Sequence, residues 1–296
     1  MLFELKTQAC FIVIKVQKPA LNILNTTNDN KNMEKSMQPI QSNYFRYLNL
    51  VAFIATVIIN SLAGSTTMIG GKLTAQVSDV NPTLITPAGY VFSIWGIIYL
   101  LLGIFTVYQA LPKNKDRPFQ KQISFFFILS CIANIAWLFA WQYEQLPLSV
   151  GLMLILLASL IAIYQRVGIG KTKTSIKEKL AVHLPFSVYL GWITIATIAN
   201  ISATLVNVGW DGAGIDPTTW AIIVVAVALL ITMLSLALRK DIPYALVIVW
   251  ALVGISAKQT PNQTIVTLTQ AGAIIIAVAI AVTAVAMILL KKRQKS

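Results

Sequence analysis

The stretch Asn81-Pro82-Thr83-Leu84-Ile85-Thr86-Pro87-Ala88-Gly89-Tyr90-Val91-Phe92-Ser93-Ile94-Trp95-Gly96-Ile97-Ile98-Tyr99 decides the fold. It opens as a polar approach and turns apolar. Thr86 suits a helix N-cap, where its hydroxyl would accept an orphan backbone N–H. Pro87 suits the first turn, where a missing N–H is no loss. From Ala88 the chain runs uncharged and apolar to Leu111. About 20 such residues, rising 1.5 Å each, cross the hydrocarbon core of a bilayer. The stretch therefore reads as the outer approach and start of a transmembrane helix. Trp95 and Tyr99, four apart, share one of its faces.

Working outward, segments of the same kind recur at about 47–65, 121–142, 147–165, 181–204, 219–238, 242–257 and 265–290. With 88–111 they make about eight spans. The segment 242–257 is the shortest and follows Arg239-Lys240-Asp241 directly, which fits a tilted or partial span. Composition agrees. Of the 296 residues 57% are apolar and 11% charged, and mean hydropathy is +0.74. A soluble domain carries about 25% charge, so this chain cannot cover a water-facing surface of its own size. The fold class is an all-α polytopic membrane protein.

Basic residues orient the spans. With the N-terminus inside, all 23 Lys and Arg fall in cytoplasmic segments except Lys72 and Lys258. A missed span would scramble every later loop, so both termini are expected in the cytoplasm. The outer loops carry Asp79, Glu144, Asp211 and Asp216. The net charge of +13 is thus an orientation pattern. Nucleic-acid binders instead gather charge on one face or tail, and no nucleic-acid partner is expected. Residues 1–46 differ in kind. Gln8–Ile14 is too short to span, and Asn22–Asn43 is rich in Asn, Lys, Gln and Thr, a composition expected to be disordered. Met33 and Met37 stand just before the first span as alternative starts, and 291–296 is a basic tail.

Inside the spans the chemistry is narrow. Lys121, at the cytoplasmic edge of its span, is the one Asp, Glu, Lys or Arg within these segments. That weighs against a carboxylate-based proton pump and an intramembrane hydrolase. His183 near the inner end of span five reads as a snorkelling group. One histidine and two distant cysteines, Cys10 and Cys131, give no metal-site spacing, and no metal or cofactor is expected. What remains is aromatic and amide chemistry. Trp137 and Trp141 share a face, with Asn134 one turn before. In span five Tyr189, Trp192, Ala196 and Asn200 line another face. Asn134 and Asn200 suit helix-to-helix hydrogen bonds and pocket lining equally. Trp210 and Trp220 flank an outer loop and fit an interfacial belt. Ala273, Ala277 and Ala281 form a small-residue stripe on span eight, which permits close helix contact.

These motifs resemble the TspO/MBR family, the tryptophan-rich sensory proteins that include the translocator protein. The family's Thr-Pro-Pro-x-Trp-Val-Phe run is met by Thr86-Pro87-Ala88-Gly89-Tyr90-Val91-Phe92, followed by Trp95 and Tyr99. The departures are Ala88 for the second Pro, Tyr90 for Trp, and one residue fewer between Phe92 and Trp95. Leu-Asn-x-x-Trp is met by Ala133-Asn134-Ile135-Ala136-Trp137, and Tyr-x-x-Trp with a later Asn by Tyr189, Trp192 and Asn200. The resemblance covers about 45–205, which implies a five-helix bundle over 47–205 with three additional helices over 206–290. It implies a pocket under the loop joining helices one and two, built here from Pro87, Tyr90, Phe92, Trp95, Tyr99, Asn134, Trp137, Tyr189, Trp192 and Asn200. Trp141 joins by sharing the Trp137 face. The implied ligands are tetrapyrrole- or sterol-like, with a bound tetrapyrrole in place of a cofactor. Membrane lipid and a homodimer partner complete the implied associations, and a bacterial plasma membrane is the expected location.

Three functions follow in order. The first is a non-enzymatic binding protein or sensor for a planar hydrophobic ligand. The second is a transporter of such a solute, and the third a tetrapyrrole-degrading enzyme. No nucleophile or base supports the third, and no inverted repeat the second. Reporter fusions at Ser296 and in the loop near Gly212 test the topology and should report opposite sides. The same side for both would overturn the eight-span reading.

Overall fold

The computed structural model describes the backbone of residues 24–293 and the side chains of 44–290 and 292. The apolar patch at Gln8–Ile14 and the end of the basic tail lie outside the described residues. Among the described residues there is helix and no strand. The helices are α1 Leu24–Ser65, α2 Thr74–Val80, α3 Ile94–Ala110, α4 Pro118–Gln142 and α5 Leu146–Val167. There follow α6 Ile176–Asn207, α7 Pro217–Arg239, α8 Ile242–Lys258 and α9 Gln263–Arg293. Seven helices are long and apolar enough to cross a membrane, the first as Tyr44–Ser65, and α8 is a shorter apolar helix. This is a multi-pass integral membrane protein.

Two expectations at the N-terminal side change. Leu24–Arg46 is helical, where composition argued for disorder. The chain divides at Ile40 into two units, Met1–Ile40 and Gln41–Ser296, beside Pro39, which has no N–H for an intrahelical bond. Thr86 does not cap α3. Its hydroxyl turns back to accept Thr83 N–H at 2.7 Å. The helix enters instead through a 3₁₀ turn, Gly89–Ser93, after Ala88, whose N–H donates to the Gly254 carbonyl of α8 at 3.0 Å.

Prolines and acidic caps place the other starts. Pro118, Pro147, Pro217 and Pro243 sit in first turns, and the Asp216 carboxylate accepts from Thr218 and Thr219 N–H. Asp241 caps α8 by accepting Tyr244 N–H at 3.2 Å. It is buried, because it also accepts from Tyr164 of α5 at 2.7 Å and from Ser187 of α6. A carboxylate read as part of a cytoplasmic loop thus ties three helices together. His183 is buried as well, inside a π turn at Lys179–His183, and does not snorkel.

Gln41–Ser296 forms one compact unit. Helix α4 packs on α5, α5 on α6, and α6 on both α3 and α8; α8 in turn carries α9 and α7. The α6–α8 contact is close because Gly191 is flat. A Cβ there would stand 3.1 Å from the Tyr244 carbonyl oxygen and 3.2 Å from Val247 Cβ. Gly191→Leu should lower stability by about 1–3 kcal/mol through overpacking, read as a fall in melting temperature in detergent. Gly151→Ala, whose new Cβ would meet nothing within 4 Å, should leave it unchanged or raised.

Candidate functional site

At the end of the bundle carrying the α1–α3 connection, aromatic rings converge around Trp95. Its ring stacks on Tyr99 at 5.5 Å and meets Trp137 at 6.1 Å, Tyr189 at 6.0 Å and Trp192 at 6.2 Å. Phe92 lies edge-on to Trp192 at 5.9 Å, and Trp137 stacks on Trp141 at 6.0 Å. Edge-to-face and offset contacts of this kind are the favoured geometries for rings, whose faces are negative and edges positive.

Amides fix these rings. Trp137 Nε1–H donates to Asn200 Oδ1 at 3.1 Å, and Asn200 Nδ2–H donates to Ser149 Oγ of α5 at 2.8 Å. Asn60 of α1 donates to Asn134 Oδ1 at 2.7 Å, and Asn134 donates to the Tyr189 hydroxyl at 3.2 Å. Trp141 Nε1–H donates to the Thr74 carbonyl of α2 at 3.2 Å. In hydrocarbon such groups have no water to fall back on, so each bond holds its helix in register.

The rings enclose a cavity of about 40 Å³, lined by Pro87, Phe92, Trp95, Trp137, Trp141, Trp192 and Asn200. Ser78 and Thr86 close it from above, and Ile195, Ala196, Ala199 and Ala203 complete the α6 wall. No charged side chain lines it. The indole N–H of Trp192 is buried and has no hydrogen-bond partner. A space this small holds a water molecule, whereas small-molecule pockets measure some hundreds of Å³.

Seven of the eleven residues expected at the site therefore meet at one cavity. Tyr99, Asn134 and Tyr189 stand one layer behind, supporting Trp95 and joining α1, α4 and α6. Tyr90 is elsewhere. It is 49% exposed and packs edge-on against Trp250 of α8 at 5.5 Å. Five residues before Trp95, Tyr90 stands about 140° around from it even on an ordinary α-helix, and here it lies in the 3₁₀ entry turn Gly89–Ser93. Sequence reasoning missed Ser78 and Thr86 as lining, and Asn60, Gln259 and Trp250 as partners. Ala196, Ala199 and Ala203, at spacings of three and four on the Trp192 face, were the legible sign of the α6 wall. Trp210 and Trp220 meet at 5.2 Å, and Trp220 Nε1–H donates to the Gly212 carbonyl, pinning the outer loop.

A family model described as TSPO-like protein matches residues 46–285. The chain belongs to the TSPO-like protein family. The match runs on through α7, α8 and most of α9, so the C-terminal helices lie within the family segment, beyond the 205 at which the motif resemblance ended. No curated protein and no solved structure matches the TSPO-like chain.

Asn200 supplies a check on the site's construction. Asn200→Leu leaves the buried Trp137 N–H without its acceptor and should destabilise the protein by about 1–3 kcal/mol, read by thermal unfolding. Adding Trp137→Phe removes the stranded donor and should recover part of the loss.

Proposed function

We propose that this protein is a non-enzymatic membrane receptor for a planar, largely apolar small molecule. The observation that carries the reading is the convergence of Trp95, Trp137, Trp141 and Trp192 on one uncharged cavity at the outer end of the bundle. Flat aromatic walls favour flat ligands, through dispersion and through the hydrophobic effect. The free indole N–H of Trp192 favours a ligand with an acceptor on its edge. Membership of the TSPO-like family supports the same reading, and tetrapyrroles and sterols are the ligand classes to try first. Because the cavity is far smaller than such molecules, ligand entry must displace part of the wall.

Absorbance and tryptophan-quenching titrations with protoporphyrin IX, biliverdin and cholesterol test this. At least one should bind saturably. Trp95→Ala and Trp137→Ala should each weaken that binding by about 1–3 kcal/mol, the worth of one large buried side chain. Trp220→Ala, in the outer loop, should not. Equal effects for all three, or no saturable binding, would remove the reading.

A further inference from the structure

The wall that must move is the segment between α1 and α3, which includes α2. Besides one part-buried bond to α6, in which Asn207 Nδ2–H donates to Asn81 Oδ1 at 3.1 Å, it is held on two sides in different ways. On the α4 side the bonds are buried. Trp141 donates to the Thr74 carbonyl and Gln142 to the Thr74 hydroxyl at 3.3 Å, while Gln142 also donates to the Ala63 carbonyl of α1 at 3.1 Å. Gly70, at φ +68°, lies against the Gln142 backbone so closely that a Cβ has no room. Lys72 adds an ion pair with Glu144.

On the other side the partner is α8. The Gln259 amide, just past the end of α8, donates to the Thr83 carbonyl at 3.0 Å and the Thr86 carbonyl at 3.2 Å. Lys258 pairs with Asp79 of α2 at 2.8 Å. Trp250 Nε1–H donates to the Val91 carbonyl at 3.1 Å, and the Gly254 carbonyl accepts from Ala88 N–H. Gly254 lies against Val91 and Pro87, and a Cβ there would collide with Val91. Thr86 and Pro87 are themselves cavity walls. The bonds from Gln259 and Lys258 are only half-buried or exposed, so water can take their place when they break. On the α4 side, losing the Trp141 bond to Thr74 would strand a buried indole donor.

We propose that α8 is the latch of this cavity: Gln259, assisted by Lys258, holds the Thr83–Thr86 turn closed, and the segment swings from its α4 side when the latch releases. The proposal rests on the receptor reading for its purpose but not for its test, since opening is measurable without ligand. It also gives work to the helix whose length is short for a span. Bonded at the outer end by Gln259 and tied at the inner end by Asp241, α8 has both ends fixed to the bundle.

The test uses the full chain in nanodiscs with Cys10→Ser and Cys131→Ala, and Ala203→Cys as reporter. Ala203 lines the cavity and is buried, so a charged, membrane-impermeant methanethiosulfonate reaches it only through an open mouth. Gln259→Leu should raise the labelling rate about tenfold, as two carbonyl bonds are lost. Lys258→Met, which breaks an exposed ion pair and carries little folding risk, should raise it less than about threefold. Leu252→Ala is the control, since it loosens the same helix where it faces Gly272 of α9; it should leave the rate within about twofold. An unchanged rate in Gln259→Leu overturns the latch. So does equal acceleration by Leu252→Ala, or a larger acceleration by Gln142→Leu on the α4 side. Faster labelling together with faster protoporphyrin IX quenching supports latch and receptor together. Faster labelling with no quenching in any variant keeps the latch and ends the receptor reading for that porphyrin.

Discussion

A buried amide or indole N–H in a bilayer has no solvent to return to, and the rest of this structure depends on that constraint. It is met by two short chains of hydrogen bonds. One runs Asn60–Asn134–Tyr189 through α1, α4 and α6; the other runs Trp137–Asn200–Ser149 through α4, α6 and α5. Dispersion between helices is non-directional, and lipid tails compete for it on nearly equal terms. The amides therefore supply direction. They set the rotation of α4 and α6, and that rotation turns Trp137 and Trp192 toward Trp95. Trp192 is one of several described groups that escape the constraint, as are the Gln109 amide and the Tyr99 hydroxyl, and its left-over N–H lies at the cavity where a ligand acceptor would meet it.

The two basic residues that broke the inside pattern, Lys72 and Lys258, are the two that pair with acidic partners around the α1–α3 segment. Each ion pair is exposed and contributes only about 0–1 kcal/mol. Their value lies in position, one on each side of the same segment. The asymmetry between the buried α4 attachment and the wetter α8 attachment decides which side yields first. The helices beyond α6 are therefore part of how the outer end closes, in keeping with a family match that extends to residue 285.

Much of this was legible in the residues. Span existence follows from hydropathy, because burial in lipid needs long uncharged runs: among the described residues seven of the eight runs are helices long enough to cross, and 242–257, the shortest, is the short apolar helix α8. The aromatic face at Trp95, Trp137 and Trp192 follows from helical spacing within each span. Other features were out of reach for physical reasons. Tyr90 was placed at the pocket by the motif resemblance alone; five residues from Trp95 it lies about 140° around an α-helix, and its actual partner, Trp250, lies on a helix outside the motifs. Thr86 looked like a cap, but its hydroxyl accepts from Thr83 N–H in its own turn, and its carbonyl is taken by Gln259, more than 170 residues away and invisible to local spacing. Asp241 read as a loop charge for the same reason, since its burial is produced by Tyr164 and Ser187. Composition pointed to disorder before Arg46, where Leu24–Arg46 is helical; Asn, Thr, Asp and Pro39 gave no propensity signal for it.

The central claim is that the tryptophan-lined space is a closed binding cavity whose outer wall moves to admit a flat ligand. A cryo-electron microscopy structure of the protein saturated with whichever of the porphyrin, bilin or sterol probes binds tests it most directly. The account predicts ligand density between Trp95, Trp137 and Trp192, with the Thr83–Thr86 turn withdrawn from Gln259. Density on the lipid-facing surface, with the cavity still at its closed size and the turn still bonded to α8, would contradict it.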